Sequence, residues 1–218
     1  MVDCAAARLN MVDSQLRTNK VTDAALLEAF EAVPREAFVP EGLRSVAYVD
    51  EDIPLGNGRF VMEPMIIARL LQAARPQADD IALDIGCATG YATAILSRLV
   101  ATVVALEAEA ALAAQANRTL SELEIDNAVV VEGALIEGYP KQAPYNVIVL
   151  GAAVAEIPAA ISEQLAEGGR LVTVVKDMTG MGRATLMQRD GDVVSSRVLF
   201  DAALPLLPGF EVEPGFVF

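Results

Sequence analysis

The sequence predicts an α/β fold: a mainly parallel, doubly wound sheet with N-terminal helices and a C-terminal antiparallel hairpin. Three observations carry this expectation. From Ile81 onward, short apolar strands alternate with segments of helical period, the rhythm of parallel sheets flanked by helices. Apolar residues make up 54% of the chain but aromatics only 5%, so Val, Ile, Leu and Ala must fill the interior. Near the end, Asp190-Gly191 separates two strand-like runs, a hairpin signal.

The elements follow in order. Asp23 can cap a helix that places Leu26, Leu27, Phe30 and Val33 on one face, and Pro34 ends it. Pro40–Asn57 has no clear period and reads as irregular. Pro64 suits the first position of a helix in which Ile67, Leu70, Leu71 and Ala74 recur at helical spacing. Ile81–Ile85 is a buried strand, Gly86–Gly90 a turn, and Ala92, Ile95, Leu96 and Leu99 mark a helix. Thr102–Leu106 is the next strand and Ala108–Leu123 an Ala-rich helix. Ala128–Val131 and Val147–Leu150 are strands. Pro158 opens a helix that Gly168 and Gly169 close, and Arg170–Val175 is a further strand. Ala184–Arg189 and Val193–Phe200 form the hairpin. One domain is expected over residues 1–218, with a helical and loop part at 1–62 and the α/β core at 63–218.

Composition excludes several chemistries. The 218 residues contain no histidine, so Ser-His-Asp triads, Cys-His dyads and His-ligated metals are ruled out. Two distant cysteines, Cys4 and Cys87, make neither a disulfide framework nor a zinc site, and no metal is expected. A net charge of −14, with no cluster of Lys and Arg, argues against nucleic acid and anionic membranes as partners. No apolar run approaches the roughly 20 residues that span a bilayer. Met1 to Asn10 lacks the basic and apolar segments of a signal peptide, so a cytoplasmic protein is expected.

The strongest local signal is Leu83-Asp84-Ile85-Gly86-Cys87-Ala88-Thr89-Gly90-Tyr91, a buried strand running through a glycine turn into a helix. Ligands of such sheets sit beyond the carboxyl ends of the strands. Gly86 and Gly90 let backbone pass close to a ligand, and amides at the helix start offer donors. The segment lacks the G-x-G-x-x-G of dinucleotide sites. A glycine turn alone also serves packing. Glu107 sharpens the reading: an acid ending the second strand can accept from both ribose hydroxyls of an adenosyl group, although a solvated Glu is common there. Glu132-Gly133, ending the next strand, can meet the adenine.

These blocks together resemble the protein-L-isoaspartate O-methyltransferases, and the likeness covers nearly the whole chain. Met11–Arg17, Val33–Pro40 and Ala47–Gly56 are similar to that family's opening segments. Leu83–Tyr91 matches its cofactor loop, Glu107 its ribose acid and Glu132-Gly133 its adenine-side Asp-Gly. Ala143–Asn146 and Gln164–Val172 match its later strands. The resemblance implies a methyltransferase sheet of the Rossmann-like kind, S-adenosylmethionine as cofactor, and a role in protein repair. It implies cofactor contacts from Val61, Met62, Asp84, Gly86, Cys87, Ala88, Gly90, Tyr91, Glu107, Ala108, Glu132 and Gly133.

The departures gather on the acceptor side. Met62 stands where the family carries its active-site serine, and apolar residues follow Pro64 where it carries histidines. Ala88 replaces a usual glycine, and Gly151-Ala152-Ala153 stands where a Thr-containing stretch is common. No catalytic residue is assigned; Arg59, Met62 and Glu63 are the acceptor-loop candidates. Arg59 can pair with an acceptor carboxylate, and Glu63 can be a first-turn helix acid. The acceptor is expected to be a peptide or protein carboxylate or a small molecule. Three functions stay open: isoaspartyl carboxyl methylation, methylation of another acceptor, and cofactor binding without catalysis.

Overall fold

The structure, a computed structural model, describes residues 3–177 and 179–211; residues 1–2, 178 and 212–218 of the expected domain lie outside the described set. The chain begins with helix α1 (Cys4–Met11), capped by Asp3 through the Ala6 amide. A wider helical turn over Val12–Leu16 follows and buries Val12 and Leu16. Helix α2 (Ala24–Ala32) is capped by Asp23, which accepts from the Leu26 amide at 2.9 Å. It buries Leu26, Leu27 and Phe30, and Pro34 follows just beyond its end, as the periodicity predicts.

The segment read as irregular is in part a hairpin. Strand β1 (Ile53–Gly56) pairs antiparallel with β2 (Arg59–Val61). The turn is Asn57-Gly58, with φ of 50° and 73°. Two successive left-handed residues match the right-handed twist of flanking strands, and Asn-Gly is the pair that tolerates them best. Helix α3 (Pro64–Ala74) then buries Ile66, Ile67, Leu70 and Leu71.

The main sheet has seven strands in the order β5-β4-β3-β6-β7-β8-β9. These are β3 (Ile81–Ile85), β4 (Thr102–Glu107), β5 (Ala128–Glu132), β6 (Tyr145–Val154), β7 (Leu165–Lys176), β8 (Gly182–Asp190) and β9 (Val193–Asp201). Strands β3 to β7 run parallel. Strands β8 and β9 add an antiparallel hairpin at the edge. Helices α4 (Tyr91–Ser97), α5 (Ala110–Glu122) and α6 (Ala159–Ser162) connect the parallel strands.

Helix α6 is shorter than the reading that ran it to Gly168. The Gln164 carbonyl accepts from the Tyr145 amide at 2.8 Å, which draws the chain into the sheet from Leu165. The Gln164 side chain also donates to the Glu137 and Ala160 carbonyls. Strand β4 lies on one side of β3 and β6 on the other, so the strand order reverses beside β3. The crevice beyond the carboxyl ends of β3 and its neighbours is where such sheets hold ligands. No helix among the described residues is long and apolar enough to cross a membrane.

Candidate active site

The floor of the site is the β3–turn–α4 unit. Asp84 pairs across the sheet with Ala105 on β4 and Val149 on β6, so it is fixed from both sides. Its Oδ2 accepts from the Thr93 hydroxyl at 2.7 Å, while Oδ1 has no partner among the described residues. Burial, more than the nearby Glu107 charge, pushes the Asp84 carboxyl up to about 6. A buried carboxylate oxygen without a donor is costly, and Asp84 is one of the residues that line a cavity.

That turn comes close to its neighbours. Gly86 adopts φ of 76°, and a Cβ there would lie 3.0 Å from Leu207 Cδ1 and 3.3 Å from Arg59 Nη2. A Cβ at Gly151 would meet the Gly86 carbonyl at 2.5 Å, so β6 also requires glycine where it passes the turn. Ala88 keeps a left-handed φ of 52° despite its side chain. Its amide compensates by donating to Glu107 Oε2 at 2.7 Å.

Glu107 ends β4 and is fully buried. Its Oε1 accepts from the amides of Ala108 at 2.8 Å and Glu109 at 3.1 Å. Both of its oxygens also take the Arg59 guanidinium, Nη1 on Oε1 and Nη2 on Oε2. Arg59, expected as a partner for an acceptor carboxylate, is thus 5% exposed and paired with the chain's own acid.

The cavity above Asp84 measures about 20 Å³ and is bounded by Phe60, Val61, Met62, Asp84, Gly86, Cys87, Ala88 and Tyr91, among others. Seven of the residues expected at the cofactor therefore meet around one space. Glu107 and the Ala108 amide stand behind Arg59. Glu132 and Gly133 are exposed at the end of β5, and Gly133 is tied to the Glu107 carbonyl by its amide at 3.1 Å. Gly90 caps α4 and does not border the cavity. Burial above all, and then Asp84 and Glu107, push the Cys87 thiol well up, so it is a neutral loop residue rather than a thiolate.

Glu63 precedes Pro64 at the N-cap of α3, one residue before the first turn. Asp52 and Asp50 from the preceding loop accept from the Glu63 and Met65 amides, at 2.9 and 3.4 Å. Burial and then the charges of Asp50 and Asp52 push the Glu63 carboxyl up to about 7. It does not border the cavity.

Three supports were not foreseen. Arg35 is completely buried and donates to the Met62 carbonyl at 2.7 Å and the Val61 carbonyl at 3.3 Å, clamping the segment that roofs the cavity. The Thr89 hydroxyl donates to the Phe38 carbonyl at 2.6 Å, tying the Gly86–Gly90 turn to the N-terminal part. Leu207 belongs to the stretch after β9. Its amide donates to the Ala153 carbonyl at 2.7 Å, and Ala153 in turn donates to the Pro205 carbonyl at 3.0 Å, which seats the tail across the end of β6. The first lies in a block already singled out, Val33–Pro40; the tail has no period that marks it.

The sequence profile of the family described as protein-L-isoaspartate(D-aspartate) O-methyltransferase matches residues 7–203. A protein-L-isoaspartate O-methyltransferase of Methanoregula boonei is 40% identical over 184 residues, 84% of each chain. One from Methanoculleus marisnigri is 35% identical over 97% of this chain and 98% of its own. A solved protein-L-isoaspartate O-methyltransferase superposes with a TM-score of 0.83 at 24% identity, covering 93% of this chain and 66% of that one. A Plasmodium falciparum protein provisionally assigned to the same activity, solved with S-adenosyl-L-homocysteine, gives 0.77 at 18% identity, covering 95% and 99%. These two structures share the fold of this chain.

Proposed function

The chain belongs to the protein-L-isoaspartate(D-aspartate) O-methyltransferase family, and from that premise we propose that it is an S-adenosylmethionine-dependent O-methyltransferase acting on the carboxylate of isoaspartyl residues in peptides and proteins. The observation that carries the reading is the placement of Glu107. It ends β4 beside the Gly86–Gly90 turn, where an acid can accept from both hydroxyls of an adenosyl ribose. The neighbouring donor set also fits. Asp84 Oδ1 is open to an N–H or ammonium, and the Gly86 backbone permits close approach. Val61, Met62, Cys87, Ala88 and Tyr91 supply the walls, with Gly90 at the helix start and Ala108, Glu132 and Gly133 on the adenosyl side.

When bound, the cofactor supplies an electrophilic methyl group. The chain's own task is to hold an acceptor oxygen in line with it and to exclude water. No residue has to remove a proton, because a carboxyl with a reference pKa near ~4 is already ionised at neutral pH. The absence of histidine is therefore compatible with the reaction. Met62 is the liability: a thioether cannot donate to an acceptor carboxylate as a hydroxyl would. The wall around it, Phe60, Val61 and Ile67, is apolar as well. This supports slow turnover of isoaspartyl peptides. A cytoplasmic setting fits the two cysteines and the protein-repair role.

The test is transfer of a radiolabelled methyl group to an isoaspartyl peptide, with its aspartyl twin as control. Label on the isoaspartyl peptide alone supports the proposal. Met62→Ser is expected to raise that rate on the order of tenfold, less than a full oxyanion donor because the attacking carboxylate loses charge. Label on other proteins but on neither peptide transfers the reading to a different acceptor.

A further inference from the structure

We propose that Arg59 is a built-in occupant of the adenosyl site: a latch that holds Glu107 until the cofactor displaces it, and so sets the cofactor affinity of this chain. The inference rests on the S-adenosylmethionine reading above and adds how the ligand gains its place.

The lone pairs of Glu107 are used up. A carboxylate offers about four acceptor sites. Here Oε1 takes Arg59 Nη1 and the amides of Ala108 and Glu109, while Oε2 takes Arg59 Nη2 and the Ala88 amide. The backbone donors belong to the turn and to the start of α5, which the fold fixes. Only the guanidinium can leave. Two ribose hydroxyls would replace its two N–H groups one for one.

Space tells the same story. The cavity of about 20 Å³ holds little more than a water molecule, whereas sites for ligands of this class measure about 300 Å³ or more. Against Gly86 the nearest atoms are side chains rather than backbone. Over Gly86 lie Arg59 Nη2 and the methyl groups of Leu207, each within 3.3 Å of where a Cβ would stand. Both come from short supports. Arg59 opens the three-residue strand β2 directly after the Asn57-Gly58 turn. Leu207 sits on the tail after β9, and Pro208 of that tail packs near Gly58. The hairpin and the tail thus meet over the turn and form one cover.

Stability alone does not account for the pair. A buried ion pair contributes little net stability compared with apolar side chains of similar volume. Its placement on the one carboxylate suited to the ribose does account for it.

A latch reduces apparent affinity by the fraction of molecules that are open. Removing it must therefore tighten binding, which loss of an ordinary structural contact would not do. The experiment is calorimetric titration of S-adenosylhomocysteine into the full chain, Arg59→Gln and Leu207→Ala. Glutamine is uncharged and cannot span both Glu107 oxygens; Leu207→Ala opens the cover without touching the ion pair. Tightening on the order of tenfold or more is expected for Arg59→Gln, and several-fold for Leu207→Ala. Equal or weaker binding in both variants, with the parent binding, overturns the latch and leaves the cofactor reading intact. No binding to any of the three at millimolar ligand overturns the cofactor reading and the latch together.

Discussion

Below the cavity, Asp84, Gly86 and Ala88 stand on a strand and turn hydrogen-bonded into the sheet from β4 and β6; above it, Arg59 and Leu207 stand on a three-residue strand and an irregular tail. The floor has its geometry fixed by backbone. The roof is held by the Arg59–Glu107 ion pair, the Arg35 clamp and the two backbone hydrogen bonds that seat the Leu207 tail on Ala153. A ligand cannot reshape the first without breaking the sheet, but it can reshape the second by exchanging partners. On the proposed reading, the floor carries the cofactor contacts and the roof sets access to them.

The largest expected effect comes from cutting the ion pair between them. Glu107→Ala leaves the Arg59 guanidinium buried without a counter-charge, which costs about 3–5 kcal/mol. Arg59→Gln should cost less, because three backbone amides still satisfy Glu107. Urea unfolding of both variants measures the order. An Arg59→Gln loss as large as the Glu107→Ala loss would mean that the roof, too, is rigid architecture.

The next effect belongs to the floor and depends on pH. The Asp84 carboxyl is pushed up to about 6 in the fold, whereas an unfolded aspartyl group ionises near ~3.9. Between those values the folded state binds more protons than the unfolded one. The stability this group contributes is therefore complete below about pH 4 and is lost as pH rises through about 6. Asp84→Asn removes that dependence. Its advantage over the parent should grow across this window to about 2–3 kcal/mol at pH 8. Chemical unfolding at pH 4 and pH 8 reads it out, and a difference independent of pH would show that Asp84 is not strained in this way.

The smallest effect tests the turn. Ala88 holds φ of 52°, a conformation that costs a non-glycine residue about 1 kcal/mol. Ala88→Gly relieves it but frees the unfolded chain, so a gain of at most about 1 kcal/mol in unfolding free energy is expected. A clear loss would mean that the methyl group packs as part of the cavity wall and that the turn tolerates it for that reason.

Much of the floor was legible in the sequence. Ile81–Ile85, Thr102–Leu106 and the helix between them follow from apolar runs whose periods differ. Glu107 stands out because a charge ends an otherwise apolar strand. The roof was harder to read for two physical reasons. The Asn57-Gly58 turn carries a hairpin signal, but its strands are too short to show alternation beside Gly56 and Pro54. And the Arg59–Glu107 pair joins residues 48 apart, a contact that no local pattern encodes. The same holds for Leu207, whose tail is placed by Ala153 on β6 rather than by any period of its own. Arg35 lay in plain view, yet a buried arginine that serves backbone carbonyls looks in sequence like a solvated one. Helix α6 was overextended because Pro158 and Gly168 bracket it well, and only the Tyr145–Gln164 hydrogen bond reveals the early exit.

The most direct test of the whole account is a structure of the protein bound to S-adenosylhomocysteine. The prediction is a ribose on both Glu107 oxygens, the ligand running over Gly86 toward Asp84, and the Arg59 guanidinium turned out of the cavity with Leu207 displaced. A ligand bound elsewhere, or bound here while Arg59 still holds Glu107, would contradict it.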